Sequence, residues 1–315
     1  MAESYNTLAG LVQFNDQNLA DLNVSDLLDE APLLDVLHAQ VASNGTEHKY
    51  LKQTTASSSS FRAALDGITK TASADTLVTD TLAILDGSFD TDVALADAYK
   101  GGRDAWLQLE LMRTMKQLFF NAEQQIFYGV ATPGDSTGFP GLRDNAQLDA
   151  LADEMVFNGG GTTASTQTSV YLLRSGADDV SYILGNDGNI VVEDEPTIIQ
   201  KAGSGSGVFP ALYVPVTGYS GFQIGGARSA ARICNLHASD ASAQLTDDML
   251  YEALALFPAS RQPNMIAMNR QSLKQLRESR TAVNPSGAPA ERPTAVDGIP
   301  IVVTDALVNT EAVEV

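Results

Sequence analysis

The chain has 315 residues, 44% of them hydrophobic, and carries 39 acidic against 19 basic side chains for a formal charge of −20. That length allows two or more packed units and that apolar content an ordinary core, whereas the acidity disfavours a sequence-specific DNA binder or a protein held on anionic lipid. A single cysteine, Cys234, rules out a disulfide framework within the chain and a cysteine-rich zinc site, which fits a reducing cytoplasm.

The opening MAESYNTLAGLVQF lacks a basic region followed by an apolar run, so no signal peptide is expected. No stretch approaches the ~18 consecutive apolar residues of a membrane span. Residues 1–45 hold short helical pieces: apolar positions recur at Leu27, Leu28, Leu33, Leu34, Val36 and Leu37, and Pro32 is placed to open a new helix. Residues 46–75 turn polar and rich in Thr, Ser and Lys, with Ser57 to Ser60 as a flexible tip. Two polar strands around that tip make a long protruding hairpin the better reading, with a disordered linker as the alternative. A loop of that length is unusual inside a compact domain, and a protrusion ordered against a neighbour removes the difficulty.

Residues 76–93 read as strand, turn and strand entry. From about Ala94 to Tyr128 the pattern is that of an amphipathic helix, with Leu107, Leu111, Met115, Leu118, Ala122 and Ile126 on one stripe. Trp106, Met112 and Phe119 widen it, and Gln108, Glu110, Arg113, Lys116 and Glu123 lie mostly off it. At 1.5 Å per residue such a helix reaches roughly 50 Å. Gly101 and Gly102 sit near its start, either as a bend within it or as a loop from which it begins. Gly129 is the natural stop, and PGDSTGFPGL then turns repeatedly.

Residues 150–235 are rich in strand patterns, and Gly-Asn-Asp-Gly between two apolar arms at 183–192 signals a hairpin. LTDDMLYEALALF reads as a helix capped by Thr246 and stopped by Pro258. NMIAMN is a buried strand, RQSLKQLRESR a helix, NPSGAPAERPTAVDG a mobile loop and IPIVVTDAL a closing strand. Together these predict an α+β protein.

Catalytic patterns are missing. His38, His48 and His237 are scattered, GSGSG at 203–207 has Gly205 where a nucleophile elbow needs Ser, and no P-loop is present. The acidic stretches at 186–189 and 193–195 could offer oxygen ligands to Ca²⁺, but their spacing is not that of an EF-hand and they read as turns. Asp178 and Asp179 read as a solvated turn. No catalytic residue, cofactor or metal is expected.

APLLDVLHAQ leads into HKYLKQTTASSSSFRAA; VALADAY into LQLELMRTMKQLFFNAEQQIFYG; then come GFPGL, TGYSGFQIGGARSAARICNL, LTDDMLYEALALFP, AMNRQSLKQLRES and VDGIPIVVTDAL. This order and spacing resemble the major capsid proteins of tailed bacteriophages, which share the Hong Kong 97-type shell fold. The likeness is nearest to short-tailed phage members without a long N-terminal scaffolding region. The resemblance implies an N-terminal arm at 1–45, an extended loop at 46–75, a peripheral domain with a spine helix at 76–145, an axial domain at 146–295, and a return strand and tail at 296–315.

It further implies a subunit that joins copies of itself in hexamers and pentamers, assembled in the host bacterial cytoplasm into an icosahedral head around double-stranded DNA, without reading its sequence. A portal protein at one vertex, a separate scaffolding protein and, optionally, a decoration protein are the other implied partners. Lys49, Lys52, Phe61, Arg62 and Lys70 are the candidate subunit-contact residues of the loop, and Gly101 and Gly102 the candidate hinge of a spine helix that relaxes as the shell expands. Two other classes remain open at this point: an encapsulin-like cellular compartment, and a non-viral Ca²⁺-binding surface β protein.

Overall fold

The computed structural model of the protein describes residues 31–67, 71–193, 196–202, 207–284 and 288–314. The expected pieces around Leu27 and Leu28 lie outside them. Pro32 opens α1 (Pro32–Val36), where its missing N–H costs nothing. After β1 (Ala39–Val41) comes the expected polar hairpin, β2 (Glu47–Thr55) paired antiparallel with β3 (Ala74–Thr81). Its second strand continues past residue 75, because Tyr50 pairs with Val78 and Glu47 with Thr81.

β4 (Ala83–Asp86) and β5 (Phe89–Asp92) precede α2 (Val93–Ala98) and α3 (Arg103–Tyr128). The predicted single helix from about Ala94 is thus two helices, split at Gly101 and Gly102. Then follow β6 (Val156–Asn158), β7 (Gln167–Leu173), β8 (Val180–Leu184), β9 (Val191–Val192), β10 (Thr197–Ala202), β11 (Val208–Val214), β12 (Val216–Ile224) and β13 (Ala230–His237). The chain closes with α4 (Asp247–Ala255), β14 (Met265–Met268), α5 (Arg270–Ala282), β15 (Ala295–Val296) and β16 (Ile299–Val303). Thr246 caps α4 as expected, its side chain accepting from the Met249 amide.

The hairpin expected at 183–192 does not form. β8 and β9 both run antiparallel to β12, so the chain does not reverse between them; residues 186–188 make a short 3-10 turn and the strand direction resumes. A turn-forming sequence is here spent on an excursion from a strand whose partner lies elsewhere, which local pattern cannot reveal.

Among the described residues the strands form a six-stranded sheet in the order β15-β16-β14-β7-β13-β6, a mixed sheet β1-β8-β12-β4 with β9 beside β12, a small sheet β10-β11-β5, and the separate β2-β3 ribbon. α3 passes through two cores. Its stretch from Trp106 to Leu118, with Leu111 between them, packs on Ala96 and Tyr99 and on Leu212, Val214 and Val216. Its last turns, with Ile126, Phe127 and Tyr128, join the core between the six-stranded sheet and α4 and α5. Because the helix is covered on more than one side, Gln108 and Glu123 are buried, contrary to the expectation that both lie off the packed stripe.

Candidate functional site

The β2-β3 ribbon has two unlike faces, as strand alternation requires. One face turns to the body: Tyr50 donates its hydroxyl to the Ile224 carbonyl at 3.4 Å. Burial, with Asp80 alongside, pushes that hydroxyl up to about 12. Burial also raises the Asp80 carboxyl, opposed by His48, Tyr50 and Lys52. The other face carries the cross-strand pair Leu51 and Leu77, 70% and 58% exposed. At the tip Phe61 and Leu65 stand fully in solvent, and the neck is closed by Ser58 and Thr71, whose backbone groups bond at 3.0 Å.

The structure strings the candidate loop residues from base to tip. Lys49 pairs with Glu47 of its own strand at 2.7 Å, an exposed bridge of small energetic weight. Lys52 faces the body near Asp80. Arg62 donates to the Asp66 carbonyl at 3.2 Å, holding the tip turn, and Lys70 lies outside the described residues. Beneath the ribbon an open groove of about 960 Å³ runs between Lys49 and Lys52 on one side and Arg174, Asp179 and Arg261 on the other. Asp179 is not the solvated turn expected. It is buried, accepts from Arg174, Ser229 and Arg261, and is held below the usual carboxylate range by those hydrogen bonds and charges even though burial opposes it.

Gly101 and Gly102 form the junction between α2 and α3. Gly102 has φ +90 and occupies the cap position before Arg103, a conformation that L side chains resist. A side chain at Gly101 would meet the Tyr99 ring at 3.0 Å. The junction is clasped from outside by Arg103, which donates twice to Asp97 at 2.8 and 2.9 Å, and from inside by Trp106, whose indole N–H donates to Thr91 at 2.9 Å.

The far end of α3 answers why a long helix runs at once into a Gly- and Pro-rich turn. Gly129 takes φ +56 as the cap, and Asp144 Oδ2 accepts from the Val130 and Gly141 amides, both at 2.9 Å. Gln125, one turn back, holds the turn itself. Its amide donates to the Asp135 and Phe139 carbonyls at 3.0 and 2.7 Å, and its carbonyl accepts from the Asp135 amide at 2.7 Å. Phe139 is thereby fixed against Tyr182 and Phe222.

A buried ionic knot, which sequence reasoning missed, ties the same helix end to the tail. Arg232, with no exposed surface, donates to Glu311 at 3.3 Å, to Glu314 at 2.9 Å, to Ser169 at 3.0 Å and to the Leu148 carbonyl at 3.2 Å. Glu311 also accepts from Tyr128 and Ser169, each at 2.6 Å. Burial opposes the charge on Arg232, but Tyr171, Glu311 and Glu314 raise its affinity for the proton. The available signal was an arginine in the middle of an otherwise apolar strand, SAARICNL.

Among the described residues no cluster of His, Cys, Asp or Glu could hold a metal ion, and no helix is long and apolar enough to cross a membrane. The free cysteine is buried, and burial pushes its thiol up to about 11. What the arrangement presents is a body with two cores, a long helix held at both ends, and a ribbon with apolar groups aimed at solvent.

A family model described as major capsid protein GP7 matches residues 16–315. The fold is that of a near-atomic structure of bacteriophage Epsilon15, which superposes with a TM-score of 0.67 at 19% identity and covers 99% of this chain and 93% of that one. The bacteriophage JBD30 capsid gives a TM-score of 0.49 at 10% identity over 87% of this chain and 90% of that one. A holo-encapsulin complex from Synechococcus elongatus gives 0.43 at 11% over 72% and 94%. No curated protein matches the chain.

Proposed function

The chain belongs to the family described as major capsid protein GP7 and is a shell-forming component of a phage virion; from that premise we propose that its copies join as hexamers and pentamers through the β2-β3 ribbon, each ribbon lying on a neighbouring copy. The observation that carries this reading is the ribbon's outer surface. An isolated two-stranded hairpin is marginal in water, and this one presents Leu51, Leu77, Phe61 and Leu65 to solvent. Apolar contact with another copy supplies what the ribbon lacks, at roughly 25 cal/mol per Å² buried. Ring contacts of this head-to-tail kind are heterologous and close into rotationally symmetric assemblies.

In this reading residues 1–45 are an arm, 46–75 the extended loop, 76–145 the peripheral domain carrying α3 as spine, 146–295 the axial domain, and 296–315 the return strand and tail. Lys49, Lys52, Phe61, Arg62 and Lys70 are the contact residues of the loop, the cations meeting acidic groups of the neighbour. Assembly takes place in the bacterial cytoplasm around double-stranded DNA. A portal protein takes one vertex, a separate chain acts as scaffold, and a decoration protein is an optional addition. The test is limited proteolysis. Free subunits are expected to be cut near Ser57 to Ser60 and assembled shells to resist at the same sites; equal cleavage of both would rule out a covered ribbon.

A further inference from the structure

Asparagine followed by glycine occurs twice in the chain, at Asn44-Gly45 and at Asn158-Gly159. The pair is chemically labile, because a glycine amide has no β-carbon to shield it from the carboxamide of the residue before it. Both asparagines are exposed, so exposure alone does not separate them. Their surroundings do.

Asn44 stands at the root of the ribbon, where the chain turns from β1 into β2. Its backbone amide donates to the Glu47 carbonyl at 3.0 Å and its carbonyl accepts from the Glu47 amide at 2.8 Å, with Gly45 and Thr46 as the turn between them. Among the described residues nothing bonds the Asn44 carboxamide or the Gly45 amide. A β-carbon at Gly45 would meet no atom within 4 Å, so the space around the two groups is open. Asn158 is the opposite case. Its Oδ1 accepts from the Gly160 amide at 2.9 Å and from the Asn235 side chain at 3.2 Å. The Gly159 amide donates to the Cys234 carbonyl at 2.8 Å, and a β-carbon at Gly159 would lie 2.7 Å from Leu236 Cδ2. Both reacting groups are thus held in place.

We propose that Asn44 is a deamidation site of the folded subunit and that Asn158 is held out of the same reaction. The Gly45 amide nitrogen, giving up its proton, attacks Asn44 Cγ. The new N–Cγ bond closes a succinimide, and the Cγ–Nδ2 bond breaks as ammonia leaves with that proton. Water then opens the ring at either carbonyl, giving aspartate or isoaspartate. Water is the one co-reactant, and nothing is oxidised or reduced. Either product adds a negative charge close to Glu47, which is paired with Lys49 at 2.7 Å. In isoaspartate the main chain runs through the former side chain and is one carbon longer, so the two Asn44–Glu47 bonds cannot both keep their geometry. The change falls on the turn that roots the ribbon, where Ser43 Oγ also accepts from the Lys49 amide at 2.8 Å. It does not rest on the shell reading, since it concerns a single subunit.

Peptide mass mapping of the unassembled full-length protein, held at mildly alkaline pH and then digested in acid, tests it. The Asn44 peptide is expected to gain the mass of an NH-to-O exchange and to split into aspartate and isoaspartate forms. It should do so at least about tenfold faster than the Asn158 peptide, which reacts only through local opening. In urea the two rates should converge, because the bonds that hold Asn158 are gone. No conversion at Asn44, equal or faster conversion at Asn158 in the folded protein, or the same gap in urea overturns the proposal. Gly45→Ala meets no clash and needs no left-handed backbone. It should slow the loss of Asn44 about tenfold by shielding the attacking nitrogen; an unchanged rate would mean that this nitrogen is not the attacking group and would overturn the route.

Discussion

Arg232 gathers four chain segments around one guanidinium: the strand it sits on, Leu148 ahead of β6, Ser169 of β7, and the tail through Glu311 and Glu314. Removing only the cation leaves Glu311 buried with its charge unpaired. Arg232→Met is therefore expected to cost about 3–5 kcal/mol, read as a lower denaturation midpoint; a change under about 1 kcal/mol would mean that the knot is not coupled to stability. Glu311→Gln should cost less, because Glu314 still faces the Arg232 guanidinium and one of the two donors, Tyr128 or Ser169, keeps the amide oxygen as its acceptor. At this scale the sequence says little. Arg232 and Glu311 lie 79 positions apart, and nothing local to either one names the other. Asp179 fails for the same reason: its local neighbourhood looks like a turn, and Ser229 and Arg261 that bury it come from later in the chain.

The long helix α3 shows which parts of an element are legible. Leu107, Leu111, Met115, Leu118, Ala122 and Ile126 are all buried as their spacing demands. Glu123 escaped because periodicity assumes one packed face, and α1 adds a second. The two ends differ in how they were read. Gly129 and the GFPGL turn were recognisable as a stop, yet their lock, Gln125 and Asp144, was not. Gly141 shows how tight that lock is: a Cβ there would lie 2.5 Å from both the Gln125 carbonyl oxygen and the Gly129 nitrogen. Gly141→Ala should therefore reduce folded yield sharply, and normal yield with an unchanged melting curve would contradict this packing. At the other end Gly102→Ala is expected to cost roughly 1 kcal/mol or more, because its φ of +90 strains any side chain. Gly101→Ala adds contact with Tyr99. The double change should lower the melting temperature. An unchanged melting temperature with normal shells would show that neither a junction nor a hinge depends on the pair.

Over the whole molecule the legible features were the α+β class, the order of segments and the polar ribbon. The sheet partners were not, because β8, β9 and β4 all meet on β12 from distant stretches of chain. The charge of −20 per copy makes assembly a contest between apolar contact and mutual repulsion. Raising salt from about 0.05 M to about 0.5 M shortens the screening length, so shells should form faster and at lower subunit concentration; slower assembly would point to attraction between the loop cations and a neighbour's acids as the dominant force.

The most direct measurement is cryo-electron microscopy of the assembled full-length chain. Closed icosahedral shells are expected, with pentamers and hexamers in which every β2-β3 ribbon lies on the adjoining subunit and Phe61 and Leu65 are covered. Small particles that never close, or shells in which each ribbon folds back onto its own subunit, would contradict it.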